Sequence, residues 1–162
     1  MKISRIDQAI DTCHGHLEST HSFGTEIESY LTRCLVVLMC STFEEEVKHL
    51  IDDRTSAIED EPLRTFFAEC VNAVLRGLKT GDIGDFFKKF GPQYKQSFRD
   101  KLKDKERAET FFNNIVTSRH GIAHTTNLNT TFQELVVFYE ESHIILDAFK
   151  QTLKETLPYG TK

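Results

Sequence analysis

With 162 residues, 39% of them hydrophobic and 28% charged, the chain has the balance of a folded domain and enough length for one proper core. Its net charge of −5 argues against a nucleic-acid binder built on a broad basic surface and against a membrane-surface protein. Any RNA or DNA contact should therefore be local, or transient as in an enzyme.

Only 3 Pro and 8 Gly are present, which leaves room for long helices, and with no Trp the burial of rings falls mainly on 13 Phe. The cysteines Cys13, Cys34, Cys40 and Cys70 form no Cys-x-x-Cys pair and no zinc-finger spacing. Cys34 and Cys40 flank an apolar run and read as buried free thiols. That run is far too short to cross a membrane, and Met1 to Asp11 has no apolar stretch of the kind a secretory leader needs. The expectation is one cytoplasmic domain over residues 1–162, with no membrane partner.

In chain order, Ile6, Ile10, Cys13 and Leu17 give a first helix from about Ser4 to His16 one apolar stripe. Thr25 caps a long second helix, with Glu28 completing a capping box and the helix reaching as far as Ile58. Its middle, Leu35 to Phe43, is apolar on more than one side and suggests a central, buried helix. Pro62 sits in the first turn of a third helix through about Leu78. Thr80 to Gly91 holds three glycines and reads as turn, short helix, turn. Pro92 to Lys103 is a short amphipathic segment. From about Asp104 a longer helix carries Ala108, Phe112, Ile115, Val116 and Arg119. Thr125 to Asn129 is turn-like, and Thr130 with Gln133 caps a last long helix ending near Pro158. Nothing reads as a strand. The fold class is all-α: a helical bundle with a long central second helix, a long C-terminal helix and shorter ones between.

The most informative segment is Thr117-Ser118-Arg119-His120-Gly121-Ile122-Ala123-His124. At about 100° per residue, Arg119 falls at the centre of the stripe made by Ala108, Phe112, Ile115, Val116, Ile122 and Ala123. An arginine there needs a carboxylate or an incoming anion, because burying an unpaired charge costs several kcal/mol. The second helix offers Glu45, on a face with Leu31, Cys34 and Leu38, with Ser41 and Thr42 beside it; the stripe turns polar at Ser41, Thr42, Glu45 and His49. Glu45 is the first candidate to meet Arg119. The planar guanidinium also matches phosphate oxygens. His124 is a natural proton-transfer group. In a regular helix it stands about 140° around from Arg119. Either Gly121 ends or loosens the helix between them, or the site is wide or built from two chains.

Arg119, four intervening residues and His124 resemble the Arg-x4-6-His motif of HEPN domains, and Arg-His-Gly-Ile-Ala-His is similar to their Arg-Asn-x-x-Ala-His form. The placement fits too: late in an all-α chain, after an amphipathic helix and before a final long one. Among HEPN subgroups the chain is similar to the RiboL-PSP type. The resemblance implies a metal-independent endoribonuclease, with no cofactor. The RNA 2′-hydroxyl attacks, His124 serves acid–base chemistry and Arg119 supports the scissile phosphate, leaving 2′,3′-cyclic phosphate and 5′-hydroxyl ends. It also implies a homodimer whose motifs meet in a cleft, a role as toxin or defence effector, and a protein antitoxin or nucleotidyltransferase-like partner. The chain departs from the pattern at His120, where Asn is frequent, and at Thr125, where Gly often follows the His.

Two further readings compete. His120 and His124 are i, i+4 and can chelate zinc, but a third ligand would have to come from elsewhere, such as His14 or His16, and no His-Glu-x-x-His is present. A catalytically silent HEPN-like module that binds RNA or a protein is the alternative to the nuclease. The net charge of −5 favours the module, whereas the intact Arg119 and His124 favour the enzyme.

Overall fold

The computed structural model describes residues 3–74, 78–124 and 130–156, with the side chains of 72–74, His120, Ala123 and His124 outside the description. Seven helices make up the described residues: α1 Ser4–Ser19, α2 Glu26–Thr55, α3 Glu61–Val74, α4 Thr80–Phe90, α5 Pro92–Leu102, α6 Glu106–His124 and α7 Phe132–Lys154. No strand occurs among them, as the sequence predicts.

The helix starts follow local chemistry. Thr25 caps α2 by accepting a hydrogen bond from the Ile27 amide. Glu28 reaches back past the cap to accept from the Gly24 amide at 2.5 Å, and its other oxygen accepts from the Phe132 amide at 3.0 Å. One carboxylate thus ties together the starts of α2 and α7. The box on α7 is Thr131 with Glu134, one residue beyond the Thr130–Gln133 pair expected, because the Thr131 hydroxyl is the one aligned with the third amide of the helix.

Several boundaries differ from expectation: α3, described through Val74, has ended before Leu78, α6 starts at Glu106 and not near Asp104, and α7 ends at Lys154 and not near Pro158. Helix α1 runs on to Ser19, and α2 ends at Thr55 rather than Ile58. Thr80–Phe90 is a full eleven-residue helix instead of a short one between turns. Ile83, Phe86 and Phe87 are buried there, at i, i+3 and i+4, and that period outweighs the glycines. Gly84 is buried in the helix, where an added Cβ would touch the Lys95 side chain at 3.7 Å. Gly91 does serve as a turn: its φ of +138° is open to glycine alone and lets α5 double back on α4. The N-terminus of α4 is held against α6 by Asn113, which accepts from the Thr80 amide and donates to the Thr80 hydroxyl.

The core is one cluster. Val36, Met39, Cys40, Phe43 and Val47 of α2 meet Phe112 and Ile115 of α6 and Ile145, Leu146 and Phe149 of α7. The rings of Phe43 and Phe112 stack at 5.3 Å. Phe86 and Phe87 of α4 and Phe98 of α5 continue this core by closing over Phe149, which lies 5.1 Å from Phe87. Helix α1 is fastened by the buried Tyr139 hydroxyl, which accepts from the Ile3 amide at 3.1 Å and donates to Asp7 at 2.9 Å. Burial first, then the Asp7 charge, pushes that phenol up to about 12 against the pull of the Ile3 amide.

Candidate functional site

Helix α6 delivers its arginine where the apolar stripe runs out of the core. Ala108, Phe112, Ile115 and Val116 are buried, while Arg119, one turn beyond Ile115, is half-exposed. The guanidinium makes a short ion pair with Glu44 of α2, both side chains being about 40% exposed (40% and 37%). The arginine is therefore anchored on one side and open to water on the other.

Glu44 is not the expected partner. Glu45 points away and pairs with Arg5 of α1 at 3.2 Å. Geometry explains the correction. The buried side of α2 is carried by Val36, Met39, Cys40, Phe43 and Val47, and Glu44 lies one turn after Cys40 on its flank. The face of Leu31, Cys34, Leu38 and Glu45 lies on the other side of the helix, and Cys34 and Glu45 are exposed. Ser41 is half-buried, but its hydroxyl donates to the Leu38 carbonyl of its own helix at 3.0 Å; nothing joins it to Arg119. Thr42 bonds the same carbonyl at 2.7 Å, and His49 is exposed.

Cys40 is the neighbour that sequence reading missed as part of the site. Its thiol donates to the Ile115 carbonyl at 3.5 Å, directly beneath the ion pair. Burial pushes this thiol up to about 12, against a downward pull from Arg119, with Glu44 adding to the rise. It stays protonated at neutral pH and cannot act as a thiolate nucleophile. Cys34, expected to be a buried thiol like Cys40, is exposed on the outer face of α2.

Helix α6 continues through Gly121 to His124, so Gly121 is not a break. Positions 119 and 124 consequently stand about 140° apart around one helix. The side chains of His120 and His124, and the segment 125–129, lie outside the described residues. Among the described residues no group of three or more His, Cys, Asp or Glu is gathered as a metal site, and no helix is long and apolar enough to cross a membrane.

A second feature borders the site. The outer face of α2 carries Ile27, Tyr30, Cys34 and Val37, all exposed, in a line that leads toward Glu44. Helix α2 is thus apolar on two sides, as its sequence suggests, but only one side is covered by the described residues.

A model of the RiboL-PSP-HEPN family matches residues 2–155. The chain belongs to this family. No curated protein and no solved structure was found to match it. As a HEPN domain, the chain falls in a superfamily of nuclease-like, RNA-related modules, and its seven helices suit that fold. In this HEPN chain the Arg of the Arg-x4-His motif is the one held by Glu44.

Proposed function

We propose that this HEPN domain is a metal-independent endoribonuclease with Arg119 and His124 as its catalytic residues. The observation that carries the reading is the state of Arg119: half-exposed, at the end of α6, and held by one carboxylate from a neighbouring helix. A scissile phosphate can take the open side of the fork, or displace Glu44, and gain charge-assisted hydrogen bonds. His124, at the last position of α6, supplies the proton-transfer group: it accepts the 2′-hydroxyl proton, and a proton reaches the departing 5′-oxygen as the 2′,3′-cyclic phosphate forms. His120 is a supporting group one residue after Arg119.

The reading includes a homodimer. The uncovered apolar line on α2 favours a second copy there, since exposed apolar residues in a contiguous row mark interaction sites. A two-fold axis near that line would bring two Arg119–Glu44 pairs together and let one chain's Arg119 work with the other's His124. A toxin or defence role, with a protein antitoxin or nucleotidyltransferase-like partner, follows from family resemblance alone.

The test is incubation of single-stranded RNA with the protein in EDTA, alongside Arg119→Ala and His124→Ala. The expected result is cleavage with cyclic-phosphate ends, reduced at least ~100-fold in both variants. No cleavage of any RNA would leave the silent binding module as the function. Cleavage that requires added metal would rule out the mechanism.

A further inference from the structure

Charge is unevenly spread along this acidic chain. Residues 79–107 hold nine Lys and Arg against five Asp and Glu, a net of +4, so the remainder of the chain carries −9. The excess sits on α4, α5 and the turn into α6. Lys79, Lys88, Lys89, Arg99, Lys103 and Lys105 are all exposed, and none has a carboxylate partner among the described residues. Lys95, by contrast, is paired with Asp85, Lys101 with Glu155 and Arg107 with Glu141.

Two of these cations, Arg99 and Lys103, stand in a row with the paired Lys95. Lys95, Arg99 and Lys103 follow at i, i+4 and i+8 and line one cleft of about 400 Å³ between α4, α5 and the start of α6, which Asp100, Glu106 and Glu109 also line, so that the outward-facing Lys88, Arg99 and Lys103 and not the cleft floor carry the positive excess. Lys88 joins them from α4: after the Lys95 hydrogen bond and charge, Lys88 and Arg99 also help hold the Asp85 carboxyl below the usual carboxylate range. On the other side of α4 lies a second cleft, of about 340 Å³, walled by Phe66, Phe67, Phe86, Phe90 and Tyr94, with Lys89 as its charged lining residue. Phe66 is 63% exposed at its mouth. No carboxylate lines this cleft.

We infer that α4 and α5 form an accessory surface for single-stranded RNA, the cation row taking phosphates and the aromatic cleft taking one unstacked base. Cations beside aromatic faces are the pairing that single-stranded nucleic acid needs, because phosphates supply the charge and every base has a face to stack. An acidic protein segment would use the cations but leave the aromatic cleft without a function. The inference rests on the RNA reading of this HEPN domain, and adds that substrate is held by a surface outside the Arg119 site. It also answers the objection from net charge, since binding depends on where the cations are, not on their sum.

The test is fluorescence anisotropy with a labelled 2′-O-methyl single-stranded oligonucleotide, which binds but offers no 2′-hydroxyl nucleophile. Lys88→Glu/Arg99→Glu/Lys103→Glu should weaken binding at least about 10-fold and flatten the salt dependence by about two phosphate contacts, with slopes near 0.7 per contact. Phe66→Ala should weaken it at least about 5-fold, and a duplex of the same sequence should bind less well than the single strand. All four substituted positions are exposed, and unchanged helicity and thermal midpoint would confirm that the fold is retained. Binding unchanged in the charge-reversed protein overturns the inference. Loss of RNA to polyglutamate as readily as to unlabelled RNA overturns it in favour of an acidic protein partner. The nuclease reading is scored separately: cleavage lost in Arg119→Ala with binding intact supports it, whereas binding lost in the charge-reversed protein with no RNA ever cleaved supports this surface alone.

Discussion

Arg119 shows how a single charge can be both anchored and available. A guanidinium on an apolar stripe requires an anion, and Glu44 provides one from α2. Because both side chains remain open to solvent, the pair adds little to stability, less than about 1 kcal/mol. Its effect on the arginine's availability is larger. Phosphate must compete with a resident carboxylate for the same fork. Glu44→Gln keeps a hydrogen-bond acceptor beside Arg119 and removes the competing charge. The expected outcome is a KM for RNA lowered several-fold with the unfolding midpoint in urea almost unchanged. A raised KM would show instead that Glu44 orients Arg119 for the phosphate. The choice between Glu44 and Glu45 was not legible in the sequence. The two differ by about 100° on the helix, and which one meets Arg119 depends on how α2 and α6 cross. That Arg119 needs an anion, and that α2 could supply it, was legible, but the residue the sequence pointed to was Glu45.

At the scale of elements, legibility follows how local the cause is. Thr25 and the α6 stripe could be read directly, since caps and apolar period act within a turn or two. Helix α4 was obscured because the three glycines of its segment look like turn residues, while the buried Ile83, Phe86 and Phe87 hold the segment helical. The exposure of Cys34 was hidden for a similar reason: an apolar face does not say whether its own chain covers it. Beyond the core packing of Phe98 and Phe149, the polar contacts between α5 and the end of α7 converge on one residue, the C-cap Glu155. Its carboxylate accepts from Ser97 at 2.6 Å and Lys101 at 2.5 Å, and its carbonyl accepts from Tyr94 at 3.2 Å, three residues on one face of α5. Burial pushes this carboxyl up, but Lys101 and Ser97 outweigh that and hold it below its ordinary value of 4.5. A group depressed in the folded state stabilises above the unfolded value and loses that contribution as pH falls through the folded one. Acid should therefore weaken the α5–α7 contact below about pH 4.5. Glu155→Gln should cost about 1 kcal/mol at neutral pH and make the acid limb of a stability–pH curve shallower. An equally steep limb in the variant would place the acid sensitivity elsewhere.

For the whole molecule, two kinds of surface stand apart: an uncovered apolar line on α2 and a cationic face on α4 and α5. If the first is the dimer interface, Val37→Glu combined with Tyr30→Glu should give a monomer by light scattering at micromolar concentration. RNA cleavage should fall with it, while the helical content is kept. A dimer that survives both changes would move the interface off α2. Cross-linking through Cys34 gives the same answer in the unmodified chain, since a symmetric contact along this line brings the two thiols near each other.

The Tyr139 hydroxyl has one more implication, for the order in which the molecule forms. It joins residues 136 positions apart, and the Glu28–Phe132 bond spans 104. Loop closure costs about 0.6 kcal/mol for each doubling of length, so the Tyr139 contact costs about 2 kcal/mol more to nucleate than one spanning about a dozen residues. Bundles of neighbouring helices fold fast because their contacts are local. Here α1 and α2 must wait for the last helix to complete the core they share with it. Refolding should accordingly be slower than the all-α class suggests, and the N-terminal helices should not hold their structure without α7.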